Sequence, residues 1–241
     1  MKGIKDYIAR DMIKWLRSPV SVVSMLVMPA AWLIFVGLAL PVSFTGNYLD
    51  FITPGILVMT MLSSSLNGGT LLMFDKILGF LNKFLALPTP RESILFGKII
   101  FITIRGAIQA TIILVIAVLI GATILSPAQY GMIYLVLMLF GFLMSACATT
   151  IALYLGDHDS YSAFNTMISM PLFFTSSALM PYNVMPAWLR TIAHLNPLSY
   201  AIDAVRVAGT GTIPFVQVGL LVALGGIVIA ICMQMFRRVT V

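Results

Sequence analysis

Six long apolar runs dominate this sequence, and their lengths leave the chain little choice of architecture. They fall at Val20 to Leu40, Phe51 to Met73, Ile94 to Leu125, Tyr130 to Leu155, Tyr161 to Ser177 and Pro214 to Phe236. A hydrocarbon core about 30 Å thick takes roughly 20 helical residues, and an open sheet edge has no partner for its peptide groups in lipid. Each run is therefore predicted to be a membrane-spanning helix, which makes residues 1–241 a single all-α polytopic membrane domain. The fifth run is short unless it extends to Met180, and the third is long enough to tilt or to project from the bilayer. Only 9% of residues are charged and the mean hydropathy is +1.04, far from the balance of a soluble domain. Cys147 and Cys232 fall inside apolar runs, which points to packing rather than to a disulfide or a metal site. The first run follows a charged segment longer than the n-region of a signal peptide, so it is expected to stay in the mature chain.

The net charge of +6 reads as topology rather than as a nucleic-acid footprint, because the Lys and Arg residues sit beside the apolar runs. With six spans, the amino-terminal segment, the second and fourth connections and the carboxyl terminus share one side. That side collects eleven basic residues, and the other holds only Arg190 and Arg206. Basic residues are retained in the cytoplasm, so both termini are expected on the cytoplasmic face of the cell membrane. Arg105 lies inside the third run, near enough to its start to be expected to snorkel. The turn "GDHDS" from Gly156 to Ser160 is acidic and carries no basic residue; charge patterning alone gives no reason for it.

Two amphipathic segments flank these runs. In the first 17 residues Ile4, Ile8, Met12, Trp15 and Leu16 share a helical face mostly opposite Lys2, Asp6, Arg10, Lys14 and Arg17, with Lys5 and Ile13 out of pattern. This pattern predicts a helix in the headgroup plane, ended by Pro19. The second segment is "MFDKILGFLNKFLALPTPRES", Met73 to Ser93. On a helical wheel begun at Asp75, the residues Asp75, Lys76, Gly79, Asn82, Lys83 and Ala86 occupy one arc and apolar residues fill the rest. Pro88 and Pro90 stop the pattern, and about 13 residues at 1.5 Å each are too few to cross a bilayer. Periodicity admits both an interfacial linker and a surface presented to a soluble partner.

Several motifs in order resemble the membrane subunits of ABC-2 type ATP-binding-cassette exporters. "WLRSP" at Trp15 to Pro19 is similar to the exit of that family's elbow helix, and "ITPGILVMTML" at Ile52 to Leu62 resembles the Pro-Gly start of its second span. "FDKILGFLNKFLALPTPRESILFGK" at Phe74 to Lys98 resembles its acidic-basic-x-x-Gly helix, Pro turn and Gly-Lys opening of the third span, with Asp75 where Glu is more usual. The most specific match is "SSALMPYNVMPAWLRTIAHLNPLSYAIDAVR", Ser176 to Arg206, which carries Pro-x(4)-Pro-x-Trp-Leu, Asn-Pro-Leu-x-Tyr and Asp-x-x-Arg in sequence.

The resemblance implies a type V exporter-like fold: an elbow helix over residues 1–18, a coupling region over 74–93, and short re-entrant outer helices over 178–210. It implies that Asp75, Lys76, Gly79, Asn82, Lys83 and Arg91 meet an ATPase subunit. It further implies that the second and fifth helices of two protomers face each other across a pathway. Ser63, Ser64, Asn67 and Thr70 of the second run, with Asn165, Ser169 and Phe173 of the fifth, are then pathway candidates. Met59, Met61, Met73, Met167 and Met170 would soften that wall. Pro181, Pro186 and Trp188 become outer-gate candidates. The partners implied are two copies of the ATPase, a second copy of this chain and membrane lipids, with no nucleic acid.

ATP and its Mg ion are expected on the partner. A P-loop needs Gly-x(4)-Gly-Lys followed by Ser or Thr, whereas Gly97-Lys98 here is followed by Ile99, with Glu92 at the first Gly position. The chain is thus read as a non-catalytic subunit that binds no cofactor, and its cargo as a hydrophobic or amphipathic molecule, drug-like or lipid-like. A polysaccharide or glycolipid permease of the same family is the alternative. A secondary carrier is disfavoured because no acid lies well inside a run. An intramembrane protease is disfavoured because His158 and His194 fall in connections on opposite sides.

Overall fold

The structure is a computed structural model of the chain and describes residues 2–37, 48–80 and 91–239. Helices account for nearly all of these residues. The first, α1 (Lys2–Leu16), is followed by α2 (Pro19–Ala31), which continues through a π-helical turn at Trp32–Val36. Pro19 occupies the first turn of α2, where its missing N–H costs nothing. Next come α3 (Tyr48–Ile77), α4 (Arg91–Ile120), α5 (Pro127–Tyr154) and α6 (His158–Phe174). Two short helices, α7 (Ala187–Leu195) and α8 (Pro197–Gly209), lead to α9 (Phe215–Val239).

Five of these segments, Pro19–Val36, α3, Ser93–Ile120 within α4, α5, and Phe215–Met235 within α9, are long and apolar enough to cross a membrane. The fifth predicted run gives α6, whose 17 residues reach only about 26 Å, short of a full hydrocarbon core. It starts three residues earlier than the apolar pattern indicates and stops at Phe174 rather than extending to Met180. The long third run is also cut, at Gly121, whose φ of +122° takes the chain out of the helix. There the Ala122 N–H donates back to the Ala117 carbonyl, closing the α4 terminus.

The bundle is organised around α3. It packs against α4, α5, α6 and α8, and Ile52, Ile56, Val58 and Met61 have no exposed surface. Small residues let the helices close in. A Cβ on Gly55 would lie 2.9 Å from the Ala178 Cα, and one on Gly141 of α5 would run into Met61. Ser65 of α3 donates to the Gly141 carbonyl at 3.3 Å and accepts from Ser145 at 3.2 Å. The small-residue stripe Gly141, Ser145, Thr149 therefore packs within the chain, as small residues do where helices must approach without a hydrophobic driving force. By contrast α2 and α9 lie at the periphery, with Val20, Val27, Phe35, Phe215, Val216 and Ile227 all more than half exposed.

Candidate functional site

At the end of the bundle that carries α1, a charge cluster ties three helices together. The Lys98 ammonium donates to Asp11 of α1 at 2.8 Å and to Asp75 of α3 at 2.6 Å, and only 7% of the Lys98 side chain is exposed. Arg10 adds an ion pair to Asp11 at 2.6 Å and approaches Asp75 at 4.0 Å. Next door, Lys76 donates to the carbonyls of Leu153 and Leu155 at 2.7 and 2.9 Å. It thus satisfies and charge-compensates the carboxyl end of α5. Phe74 stacks on His158 at the start of α6, ring centroids 4.8 Å apart. The last turn of α3 is therefore anchored to α1, α4, α5 and α6 at once.

This placement corrects the helical wheel begun at Asp75. Asp75 and Lys76 belong to the last turn of α3, and their charges turn inward to partners within the chain. Gly79 ends the helix: its φ is +71°, and the Leu78 N–H reaches back to the Phe74 carbonyl. A residue with a side chain is disfavoured in that conformation. Arg91 is the first residue of α4. Asn82 and Lys83 lie outside the described residues.

The amphipathic reading of α1 also needs revision. Trp15 is buried, and Ile8 and Met12 pack with it against Phe101 and Ile102, but Leu16 is 59% exposed. The face turned inward includes Asp11, four residues before Trp15, because Lys98 supplies it with a counter-ion.

Between Gly55 and Thr70 of α3, the part-exposed positions Met59, Ser63, Asn67 and Thr70 follow one another at spacings of four, four and three, so they form one stripe on a stretch whose other residues are buried. Asn67 donates to the Ser63 carbonyl at 2.8 Å. Ser64 does not belong to this stripe. It is 2% exposed and faces α4, where Arg105 donates to its carbonyl at 2.6 Å and to its hydroxyl at 3.3 Å. Arg105 itself, at 1% exposed, does not snorkel. It lies 14 residues into α4, too far from the helix start for its side chain to reach past the end, and bonding inward is the remaining way to satisfy the guanidinium.

On α6, Asn165 and Ser169 are half-buried and lie one turn apart, next to the exposed Met167 and Met170. Phe173 is not at a surface: it is 2% exposed and meets Trp32 edge to face at 5.7 Å. Met61 and Met73 are likewise fully buried, because both point into the α3 packing core and away from the stripe.

The opposite end of the bundle is built by α7 and α8. Pro186 precedes α7 as its N-cap and Trp188 is 66% exposed, whereas Pro181 is half-buried. Asn196 caps α8 by accepting from the Leu198 N–H, and its amide donates to the Leu172 carbonyl at the end of α6. Asp203 and Arg206 form the expected i, i+3 ion pair at 3.6 Å. Asp203 also accepts from Ser177 and from Tyr182, and Arg206 donates to the carbonyls of Phe51 and Ser177 with its guanidinium over the Phe51 ring. Burial and the bond to Asp203 push the Tyr182 hydroxyl up to about 12. His194 stacks on Tyr182 at 4.6 Å.

The acidic turn also acquires a reason. Asp157 caps α6, accepting from the backbone N–H and the hydroxyl of Ser160 at 2.7 Å each, and these bonds hold its carboxyl below the ordinary range. The residues that sequence reasoning missed are Asp11 and the roles of Lys98 and Arg105. The one available signal was a buried helical face with an acid in it, since such an acid requires a cation nearby.

Residues 4–209 match the family described as ABC-2 type transporter. The chain is 35% identical over 209 residues to a protein of Cyanophora paradoxa named as the transport permease ycf38, covering 83% of this chain and 71% of that one. It is 25% identical over 234 residues to the daunorubicin resistance ABC transporter permease protein DrrB1 of Streptomyces coeruleorubidus, covering 95% and 82%. Over a shorter stretch of 127 residues it is 25% identical to nodulation protein J of Rhizobium meliloti, covering 53% and 47%. With several helices long and apolar enough to cross a membrane and a family match over residues 4–209, the chain is a multi-pass membrane protein belonging to the ABC-2 type transporter family.

Proposed function

We propose that this permease is the transmembrane half of an ATP-driven exporter. Two copies enclose a pathway for a hydrophobic or amphipathic cargo, and a separate ATP-binding-cassette ATPase drives them. The observation that carries this reading is the stripe Ser63, Asn67, Thr70: three polar residues left part-exposed on the most deeply packed helix of an apolar protein. Facing lipid, such a row is costly; facing its counterpart on a second copy, it can line a water-accessible path. The Met167 and Met170 side chains on α6 add an adaptable apolar wall. A drug-like or lipid-like cargo suits that mixture, and the name of the Streptomyces relative points the same way.

In this reading α6 is a sixth, short span continued by the connection to α7. Both termini are then cytoplasmic, a reading supported by the excess of basic residues on that side. The segment after Gly79 is the coupling region, and Asp75 and Lys76 serve it by bracing the end of α3 rather than by touching the ATPase. Pro181, Pro186 and Trp188 sit where an outer gate would close.

The test is disulfide trapping between copies. With Cys147 and Cys232 replaced by Ala, Ser63→Cys and Asn67→Cys should each give an oxidant-dependent dimer in membranes. The yield should change when a co-expressed ATPase partner is supplied with ATP. Trapping at Leu137→Cys, a fully buried position on α5, should fail. Equal trapping at all three positions, or none at the stripe, refutes the pathway reading.

A further inference from the structure

A cavity of about 480 Å³ opens between α1, the start of α2, the end of α3 and α4, and three of its features suit an anion. Arg105 lines it while making no ion pair: among the described residues its hydrogen bonds go to the Ser64 carbonyl and hydroxyl and its guanidinium carbon lies 5.8 Å from the Phe101 ring centre, all neutral partners. Trp15 also lines it, 6% exposed, and its indole Nε1 is buried with no hydrogen-bond partner among the described residues. Ser18 stands at the amino-terminal end of α2 and its side chain does not cap that helix, so the positive end of the helix dipole faces the same space.

The two carboxylates on the cavity wall do not cancel this. Asp11 and Asp75 are both held by Lys98, and Arg10 pairs with Asp11 as well, so these four charges balance. Among the described residues that leaves two cations of the wall without an ion pair, the exposed Lys14 and, deep in the wall, Arg105. It lies seven residues beyond Lys98 on the same face of α4, about 10 Å further along the helix. Ser18 and Ser21 add hydroxyls at the start of α2, and Met25, Leu71, Phe74 and Phe101 give the cavity an apolar side. A buried guanidinium without a counter-ion and a buried indole N–H without an acceptor are each costly, and both side chains line this one cavity.

We propose that this cavity binds an anionic amphiphile, a molecule with a phosphate or carboxylate head held by Arg105 and the Trp15 Nε1 and an acyl-like tail along the apolar wall. Basic pockets between membrane helices recognise lipid head groups by the same chemistry. The site is distinct from the Ser63 stripe and does not rest on ATP-driven export, since occupancy needs neither nucleotide nor partner.

The experiment is native mass spectrometry of the full chain released from neutral detergent, after incubation with phosphatidylglycerol or with phosphatidylcholine of the same acyl chains. Phosphatidylglycerol should be retained selectively. Arg105→Gln and Trp15→Phe should each lower its retention roughly tenfold, the loss of one hydrogen bond to a charged group. Lys5→Gln, an exposed charge on α1 outside the cavity, removes the same net charge and should leave retention unchanged. Trp15→Phe keeps the test decisive if Arg105→Gln does not fold, with helicity by circular dichroism as the check. Equal retention of the two lipids, or native retention by folded variants, overturns the proposal. Displacement of the lipid by millimolar inorganic phosphate also overturns it, because the site then takes a free anion rather than an amphiphile.

Discussion

Replacing Lys98 with Met tests whether the α1–α3–α4 cluster holds this end of the protein together. In the native chain the ammonium lies 2.8 Å from Asp11 and 2.6 Å from Asp75, whose side chains are 9% and 19% exposed. Removing one partner of a buried ion pair costs about 3–5 kcal/mol, because the charge left behind has lost both its partner and its water. Arg10 remains near both carboxylates, but it is 41% exposed and 4.0 Å from Asp75, so its compensation is partly screened. The lower end, about 3 kcal/mol, is therefore expected. For a chain of this size, each kcal/mol moves the melting temperature by about 2–4 °C, so a fall of about 6–12 °C should appear in a thermal melt in detergent followed by intrinsic fluorescence. Adding Asp75→Asn to Lys98→Met removes one stranded charge and should restore part of the loss, with a coupling of at least about 1 kcal/mol in the double-mutant cycle. A fall below about 2 °C, or a double variant no more stable than Lys98→Met, would show that the cluster is a solvated surface feature.

Gly69 meets the Tyr161 hydroxyl and the Ala148 carbonyl where α3, α5 and α6 converge. Gly69→Ala should cost about 1–3 kcal/mol, and Tyr161→Phe in the same chain should recover part of it by removing the nearest obstructing atom; thermal melts of the single and double variants measure this. Tyr161→Phe alone loses only the bond to the Leu66 carbonyl, 2.6 Å long, and should cost about 1 kcal/mol. Asn196→Ala removes the α8 cap and the bridge to α6 together, so about 2 kcal/mol is expected, with faster amide exchange in the first turn of α8. The Asp157 carboxyl is depressed by its bonds to Ser160, so its cap is fully present above the ordinary carboxylate range and is lost as pH falls through the depressed value. The protection factors of the amides at the start of α6, their exchange measured against the intrinsic rate at each pH, should therefore fall as pH drops through that depressed value in the native chain. Asp157→Asn should abolish that pH dependence.

The long apolar runs were legible because bilayer thickness sets a length that few other structures share, and α3, α4 and α5 contain the predicted cores within a few residues. Helix ends were harder. Gly121 and Gly79 both terminate helices through positive φ, but the flanking residues remain apolar, so hydropathy alone runs past them. At α6 the missed signal was local: the acidic turn that charge patterning left without a reason is a capping sequence, and Asp157 followed three residues later by Ser160 marks the start of a helix. The Asn196-Pro197 break between the two short helices was readable because capping and the first-turn preference for Pro act over three residues and need no tertiary information.

Charge was the deeper difficulty, because one residue type answers two questions. Counting Lys and Arg by side treats each as a topological token, and Lys76 and Lys98 do end up at the α1 end of the bundle. Their partners are another matter. Lys98 holds two acids from helices 87 and 23 residues away in sequence, and Lys76 reaches carbonyls 77 and 79 residues away; no local periodicity encodes such distances. A wheel drawn through Asp75 and Lys76 gives them an outward arc because polar residues are assumed to seek water. In a membrane protein the assumption weakens, since an inward charge that finds a partner is as well satisfied as one that reaches the interface. Arg105 carries this to its end: it is buried, among the described residues it finds only neutral partners, and the cavity beside it is where we place its counter-charge.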